Sequence, residues 1–170
     1  MKKTTFSALW PLIALGVFAL CILLTIMSGA DSYKNLNAVN EESYTQRTAV
    51  RYLSTKIHQN DMEDTLSVLT PESGSGVSGD AVKISEFWDG EEYATYIYCY
   101  DGYLTENYMY VEEGQDIYWD CGSRVVEAES LKIDRERFYE EGMFCVTVAY
   151  ADGSEQELKV KLRTEVRNEI

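Results

Sequence analysis

The sequence predicts an α+β fold in which one long N-terminal helix packs on an antiparallel β-meander. An uncharged, mostly apolar run comes first, and a stretch without proline or glycine follows it, with apolar residues every three or four positions. The C-terminal half then alternates apolar and polar residues between Asp-Gly turns, which is typical of hairpins. Because a helix with one apolar face must bury that face, we expect the sheet to cover it.

The first segment of the predicted helix is a candidate membrane span. Between Thr4 and Ala30 the only ionisable side chain is the thiol of Cys21. Residues 6–28 form a helix of roughly 30 Å, about the thickness of a bilayer core, so we expect them to contact the lipid bilayer. The alternative is a signal peptide cleaved after Ala30, since Ser28-Gly29-Ala30 has the small residues of a cleavage site.

Charge predicts the orientation of this anchor. Lys2 and Lys3 lie in a short tip, residues 1–5, and acidic residues follow the span. The positive-inside rule therefore predicts a single-pass protein of the cell membrane, with a cytoplasmic N-terminus and an extracytoplasmic C-terminal domain. Residues 31–170 hold 13 basic and 29 acidic side chains, a formal charge of −16, which argues against nucleic acid as a partner.

The remaining elements follow in order along the chain. Residues 29–62 are an amphipathic continuation of the helix, with an apolar stripe through Leu36, Val39, Val50, Leu53 and Ile57. A loop rich in glycine and serine covers residues 63–80, an antiparallel β domain residues 81–165 and a tail residues 166–170. The strand candidates are residues 81–87, 93–100, 103–111, 117–119, 128–133, 143–150 and 156–163.

Aromatic residues concentrate in the predicted central hairpin. Seven of the 13 tyrosines lie within residues 93–110 and occupy both faces of the hairpin. One face is expected in the core, and the other either contacts a partner or is covered by another part of the chain. The candidates for partner contact are Tyr96, Tyr98, Tyr100, Tyr103 and Trp119.

Three cysteines fall in the predicted outer domain: Cys99, Cys121 and Cys145. At most one intramolecular disulfide joins a pair of them, and the spacing does not select the pair. The alternative is that they are small buried side chains of a sheet. No Cys-x-x-Cys spacing occurs and no histidine adjoins them, so a zinc site is not predicted.

No catalytic constellation is apparent. The one histidine, His58, lies near the end of the predicted helix, where the helix dipole favours it, and Ser54 is the nearest nucleophile in sequence. The sequence contains no G-x-S-x-G, H-E-x-x-H or P-loop motif. We therefore expect no catalytic residues, no enzymatic activity and no cofactor.

Together, the charged tip, apolar helix, amphipathic continuation and C-terminal meander resemble the type IV pilin-like superfamily, in particular its minor pilins and pseudopilins. Residues 47–61, RTAVRYLSTKIHQND, are similar to the distal helix of minor pseudopilins, and residues 96–106, YIYCYDGYLTE, to their central hairpin. The plan also resembles an uncharacterised family of membrane-anchored proteins of unknown function from Gram-positive bacteria. Unlike a prepilin, the chain has Thr5 before Phe6 and Trp10 in place of a glutamate, so we expect a permanent anchor.

This resemblance implies a non-enzymatic, minor pilin- or pseudopilin-like component of a type IV pilus, competence or secretion-type assembly, with other pilin-like subunits as partners. The alternative is a free-standing anchored or secreted binding module that uses the aromatic-rich hairpin. Some pseudopilins hold Ca²⁺ through loop carboxylates. The candidates for such a site here are Asp89, Glu91, Glu92 and Asp101, which flank two predicted turns.

Overall fold

The computed structural model of the chain describes residues 4–112 and 114–164, so the predicted tail and most of the predicted tip lie outside the described residues. Helix α1 spans Thr4–Gln59 and helix α2 spans Arg135–Glu141. The chain divides into two compact units, residues 1–43 and 44–170. The strands are β1 (Leu66–Leu69), β2 (Ala81–Trp88), β3 (Glu91–Tyr100), β4 (Tyr103–Tyr110), β5 (Ser123–Glu127), β6 (Ser130–Ile133), β7 (Met143–Ala149) and β8 (Glu155–Lys161).

The first unit contains the apolar part of α1. The window Ile13–Ala30 has a mean hydropathy of 2.4, and none of it is buried. Among the described residues this is the one helix that is long and apolar enough to cross a membrane. Its length and composition are consistent with a single-pass anchor.

The second unit contains two antiparallel sheets, so the α+β fold class is confirmed. Within the described residues, one sheet has five strands in the order β1-β2-β3-β4-β5, and the other has three in the order β6-β7-β8. The single meander predicted from the sequence was wrong in this respect. After β5 the chain leaves the first sheet, because the apolar face of β7, with Phe144, Val146 and Val148 fully buried, closes over the same core from a second layer.

The Asp-Gly dipeptides form the predicted hairpin turns. Asp89-Gly90 joins β2 to β3 and Asp101-Gly102 joins β3 to β4, and all four residues have positive φ angles, between 51° and 87°. Positive φ at both central residues matches the twist of paired strands, which is why this dipeptide predicts hairpins.

Four elements differ from the prediction because their sequence signals are short, and one of them, strand β5, was not among the candidates. Residues 117–119 form no strand, and a 3-10 turn occupies Trp119–Cys121 instead. Strand β1 lies inside the predicted loop of residues 63–80, and α2 lies inside the predicted β domain. The seven residues of α2 are too few to show a helical period, although Asp134 caps its N-terminus and Gly142 ends it with φ 60°.

The second half of α1 belongs to the core of the second unit. Ala49, Leu53 and Ile57 are fully buried in one cluster with residues of both sheets. The predicted stripe is therefore confirmed at Leu53 and Ile57, and Val50 is half-buried. The structure does not describe the side chains at Leu36 and Val39.

Polar contacts at two points show that α1 runs along β8. Near the start of β8, the Gln46 side chain donates to Ser154 Oγ at 2.8 Å. At the far end, the carboxylate of Asp61 accepts from the Arg163 backbone N–H at 2.9 Å. The helix and the strand therefore run in the same direction.

The segment before β2 links the two sheets. Gly79 has φ +95°, and a Cβ atom added there would lie 2.0 Å from the carbonyl oxygen of Leu131 in β6. The backbone N–H of the next residue, Asp80, donates to that oxygen at 2.7 Å. The side-chain carboxylate of Asp80 accepts from the Ile133 backbone N–H at 2.9 Å. This close approach leaves no room for a side chain at position 79.

Replacing Gly79 should therefore destabilise the protein more than replacing a glycine that has only a positive φ angle. We expect Gly79→Ala to lower the free energy of unfolding by about 3 kcal/mol or more, since overpacking adds to the cost of a positive φ. Gly74 is the matched control, because it has φ +101° but nothing within 4 Å of an added Cβ, and Gly74→Ala should cost only about 1–2 kcal/mol. Urea unfolding in detergent measures both, and equal losses would contradict the steric argument.

Candidate functional site

A polar network fastens α1 to β4. The Tyr52 hydroxyl donates to Glu106 Oε2, and Lys56 Nζ donates to Glu106 Oε1 at 2.5 Å. Burial and the bond to Glu106 raise the pKa of Tyr52 far above its ordinary value. The ammonium of Lys56 also lies 5.7 Å from the centre of the Tyr52 ring. This network is structural, because all three groups satisfy one another.

The predicted contact tyrosines Tyr96 and Tyr98 are buried, with 3% and 0% of their surface exposed. The segment around Trp119 covers this face of the sheet, and its indole lies edge-on to both rings, at centroid distances of 6.0 and 4.8 Å. Of the two alternatives for the second face, the structure therefore shows the covered one. Tyr96 and Tyr98 offer no surface to a partner, and Trp119 is half-buried.

The covering segment is held by specific contacts. The Tyr98 hydroxyl donates to the Trp119 carbonyl at 2.6 Å, and the Asn107 side chain donates to the Tyr118 carbonyl at 2.8 Å. A Cβ atom at Gly122 would lie 2.3 Å from the methyl group of Thr105, so the chain passes very close to the sheet. Burial raises the pKa of Tyr98 to about 12.

The other two predicted contact tyrosines, Tyr100 and Tyr103, are half-buried. The guanidinium of Arg124 lies 4.5 Å from the centre of the Tyr103 ring and forms a 2.6 Å ion pair with Asp101. This ring face therefore has a cation and a carboxylate from its own chain beside it.

Exposed aromatic rings occur instead on the opposite face of the same strands. Trp88, Tyr108 and Tyr110 are 77%, 58% and 42% exposed, and Tyr93 lies beside them. We call these four residues the aromatic surface. In the strand register Tyr93 is opposite Tyr110 and Thr95 is opposite Tyr108, so these residues share one face of the sheet.

The rings of the aromatic surface pack on one another. Tyr93 stacks on Tyr108 at 5.8 Å with an interplanar angle of 10°, and meets Tyr110 edge-on at 5.5 Å. The Tyr93 hydroxyl donates to Glu91 at 3.2 Å, which raises the pKa of Tyr93. Sequence parity would have grouped Trp88 and these tyrosines, but it does not show which face another segment covers.

The four carboxylates considered for calcium do not converge. Asp89 and Asp101 lie at opposite ends of β3, roughly 30 Å of strand apart, so the two turns are not neighbours in space. Glu91 and Glu92 point to opposite faces, and Glu92 pairs with Lys83 at 2.7 Å, which lowers the pKa of Glu92. In the described part of the chain, no three His, Cys, Asp or Glu side chains lie close enough to hold a metal ion.

All four cysteines are free thiols in the structure, so no disulfide joins Cys99, Cys121 or Cys145. Cys99 and Cys145 are buried, as the alternative interpretation expected, and burial raises the pKa of Cys99 to about 12. Cys121 is exposed on the segment that covers Tyr98, and its Sγ donates to Asp120 at 3.5 Å.

The solvent face of α1 in the second unit is basic. Arg47 and Arg51 are both exposed, one helical turn apart, and His58 is exposed near the helix end. No acidic residue occurs between Tyr44 and Asn60. We call Arg47 and Arg51 the arginine stripe.

A groove of about 590 Å³ lies beside the edge strand β1. Apolar side chains of Leu66, Val68 and Leu162 contribute to its wall, and the Tyr139 hydroxyl lies 3.5 Å from the Val68 backbone nitrogen. Its lining includes Lys83 and Glu92, which pair with each other.

Alkaline pH should test the covered face. Because the pKa of Tyr98 is raised from 10 to about 12, its contribution to stability is complete below about pH 10 and is lost as the pH rises to about 12. Between pH 9 and pH 12 the free energy of unfolding should fall in the wild type. We expect this fall to be smaller in Tyr98→Phe, by at most about 2–3 kcal/mol. The exposed Tyr118→Phe is the control. The same pH dependence in wild type and Tyr98→Phe would contradict this assignment.

Comparisons with known proteins agree with the division into units. Neither the curated proteins nor the solved structures contain a significant match to this chain. A family model described as a domain of unknown function, DUF4860, matches residues 44–149. This match begins at Tyr44, where the second compact unit begins, and covers more than half of the chain. The chain therefore belongs to the DUF4860 family.

Proposed function

We propose that this protein is a non-enzymatic, membrane-anchored component of a multi-subunit assembly, of minor pilin or pseudopilin type. Its C-terminal domain lies outside the cell membrane and its N-terminus in the cytoplasm. Other helix-anchored subunits are its partners, and the assembly is a pilus, competence or secretion-type machine. No cofactor takes part in this role.

One observation supports the proposal most directly. Helix α1 contains both an apolar stretch with no buried side chain, Ile13–Ala30, and a stripe that is fully buried in the β domain, Ala49, Leu53 and Ile57. A tether alone needs no such second part. A helix that contributes to both the span and the core of the β domain fits a subunit whose span packs against neighbouring helices in the membrane.

A second candidate function is a free-standing binding module, anchored or secreted. The exposed rings of the aromatic surface favour it, because large aromatic side chains on a protein surface are typical of contact sites. The two functions differ in what the helix does, and this difference can be tested.

The location can be tested with a native thiol. Cys121 is exposed in the second unit, whereas Cys99 and Cys145 are buried. A membrane-impermeant maleimide added to intact cells should label Cys121, and the Cys121→Ser variant should remain unlabelled. Labelling only after cell lysis would contradict an extracytoplasmic domain.

The assembly role predicts that the identity of the span matters. We expect wild-type protein, extracted in mild detergent, to sediment as a complex larger than its 19.4 kDa monomer. Replacing residues 6–28 with an unrelated apolar helix of equal length should keep the protein in the membrane but release it as a monomer. If the exchanged protein stays in the same complex, or if the wild type is already monomeric, the binding module is favoured instead.

A further inference from the structure

We propose that the aromatic surface of one copy of this protein binds the arginine stripe of a second copy. The inference deepens the proposed function and rests on it, because it supplies a contact between neighbouring extracytoplasmic domains. The segment that binds to the aromatic surface is the exposed face of helix α1 around Arg47 and Arg51 of the second copy.

The aromatic surface suits a guanidinium group. Its rings present π faces, which carry partial negative charge and attract cations, arginine in particular. Tyr93 and Tyr108 are nearly parallel, with an interplanar angle of 10°. Stacking holds the rings in place before a partner arrives, so little side-chain entropy is lost on binding.

Carboxylates border these rings. Glu86 lies opposite Tyr93 in the strand register, and Glu91 lies opposite Trp88, so both carboxylates share the face of the aromatic surface. Both are exposed, and neither forms a salt bridge among the residues that the structure describes. A cation over the rings would therefore also meet negative charge.

The arginine stripe is the complementary half. Arg47 and Arg51 are exposed, and neither forms a salt bridge within the described ranges. They are four residues apart, so both side chains project from the same side of the helix. Acidic side chains outnumber basic ones on this chain by 29 to 15, which gives a formal net charge of −14.

The chain already forms this kind of contact twice within itself. Arg124 lies over the Tyr103 ring and pairs with Asp101. Lys56 lies beside the Tyr52 ring and pairs with Glu106. Each arrangement joins a cation, a tyrosine ring and a carboxylate. The aromatic surface has the ring and the carboxylate, and the arginine stripe has the cation.

Charge favours a second copy as the occupant at this position. Two copies of an acidic protein repel one another over most of their surfaces. The arginine stripe is a place where one copy offers positive charge to the other without an acidic residue beside it in the helix. Because the two patches are different, each copy can contact two neighbours, and such a head-to-tail contact can propagate along an assembly.

The experiment uses the full chain in its native membrane. The photo-cross-linking amino acid p-benzoylphenylalanine replaces Trp88, which is 77% exposed, and irradiation follows. We expect a covalent dimer of this chain whose cross-linked peptide contains residues 44–51. The same photo-cross-linker at Tyr118, which is 56% exposed on the covering segment, is the control and should yield no such product.

Charge reversal decides whether the contact is the one proposed. Arg47→Glu with Arg51→Glu should lower the dimer yield about tenfold or more, since like charges would then face each other. Adding Glu86→Arg and Glu91→Arg to the same chain should restore it. The proposal is overturned by a missing cross-link, a cross-link to another region or another protein, or a dimer that charge reversal does not change. If the span exchange still dissociates the complex in any of these cases, the proposed function stands without this contact.

Discussion

Ala49, Leu53 and Ile57 form one stripe of helix α1, and all three are fully buried in a single cluster with residues from both sheets. A buried leucine or isoleucine typically costs about 2–5 kcal/mol when it is cut back to alanine, and a domain of this size is stable by only about 5–15 kcal/mol. The part of the helix after Tyr44 is therefore part of the core of the second unit. A change that shifts this part of the helix must also disturb the β domain, because the two share their apolar interior.

Polar contacts around this stripe determine where the helix lies on the sheets. Apolar burial is not directional, so it would tolerate a helix shifted along its axis. The bonds from Tyr52 and Lys56 to Glu106 and from Gln46 to Ser154 tie the helix to β4 on one side and to the β7–β8 turn on the other. Their geometry changes with any shift, and an unpaired half-buried carboxylate at Glu106 would be costly. The polar network thus fixes the position of the helix on the sheets, whereas apolar burial supplies most of the stability of this contact.

The sequence was informative where a signal repeats and weak where it does not. The apolar run, the helical stripe at Leu53 and Ile57 and the Asp-Gly turns each repeat a local rule, and the structure contains all of them. Alternation predicted that the tyrosines occupy both faces of the hairpin, as they do. It did not show that an irregular segment around Trp119 covers the face of Tyr96 and Tyr98, because such a segment has no period. The close approach of Gly79 to Leu131, which links the two sheets, could not be predicted either, because it joins residues distant in sequence.

The two faces of the central hairpin show how the same residue type serves two different physical roles. On the covered face, the hydroxyl of Tyr98 reaches a backbone carbonyl and its ring meets an indole, so ring and hydroxyl are both satisfied within the domain. The other face is buried in the core at Ile97 and Leu104 and exposed only at its far end, where Tyr93 packs against Tyr108 and Tyr110 and its hydroxyl bonds to the exposed carboxylate of Glu91. Rings that are already ordered but still wet gain most from a partner, since binding removes their water at little further cost in conformational freedom. An acidic border favours a cationic partner over the acidic surfaces that make up most of this chain. The exposed end of this face is therefore suited to selective contact, and the covered face to stability.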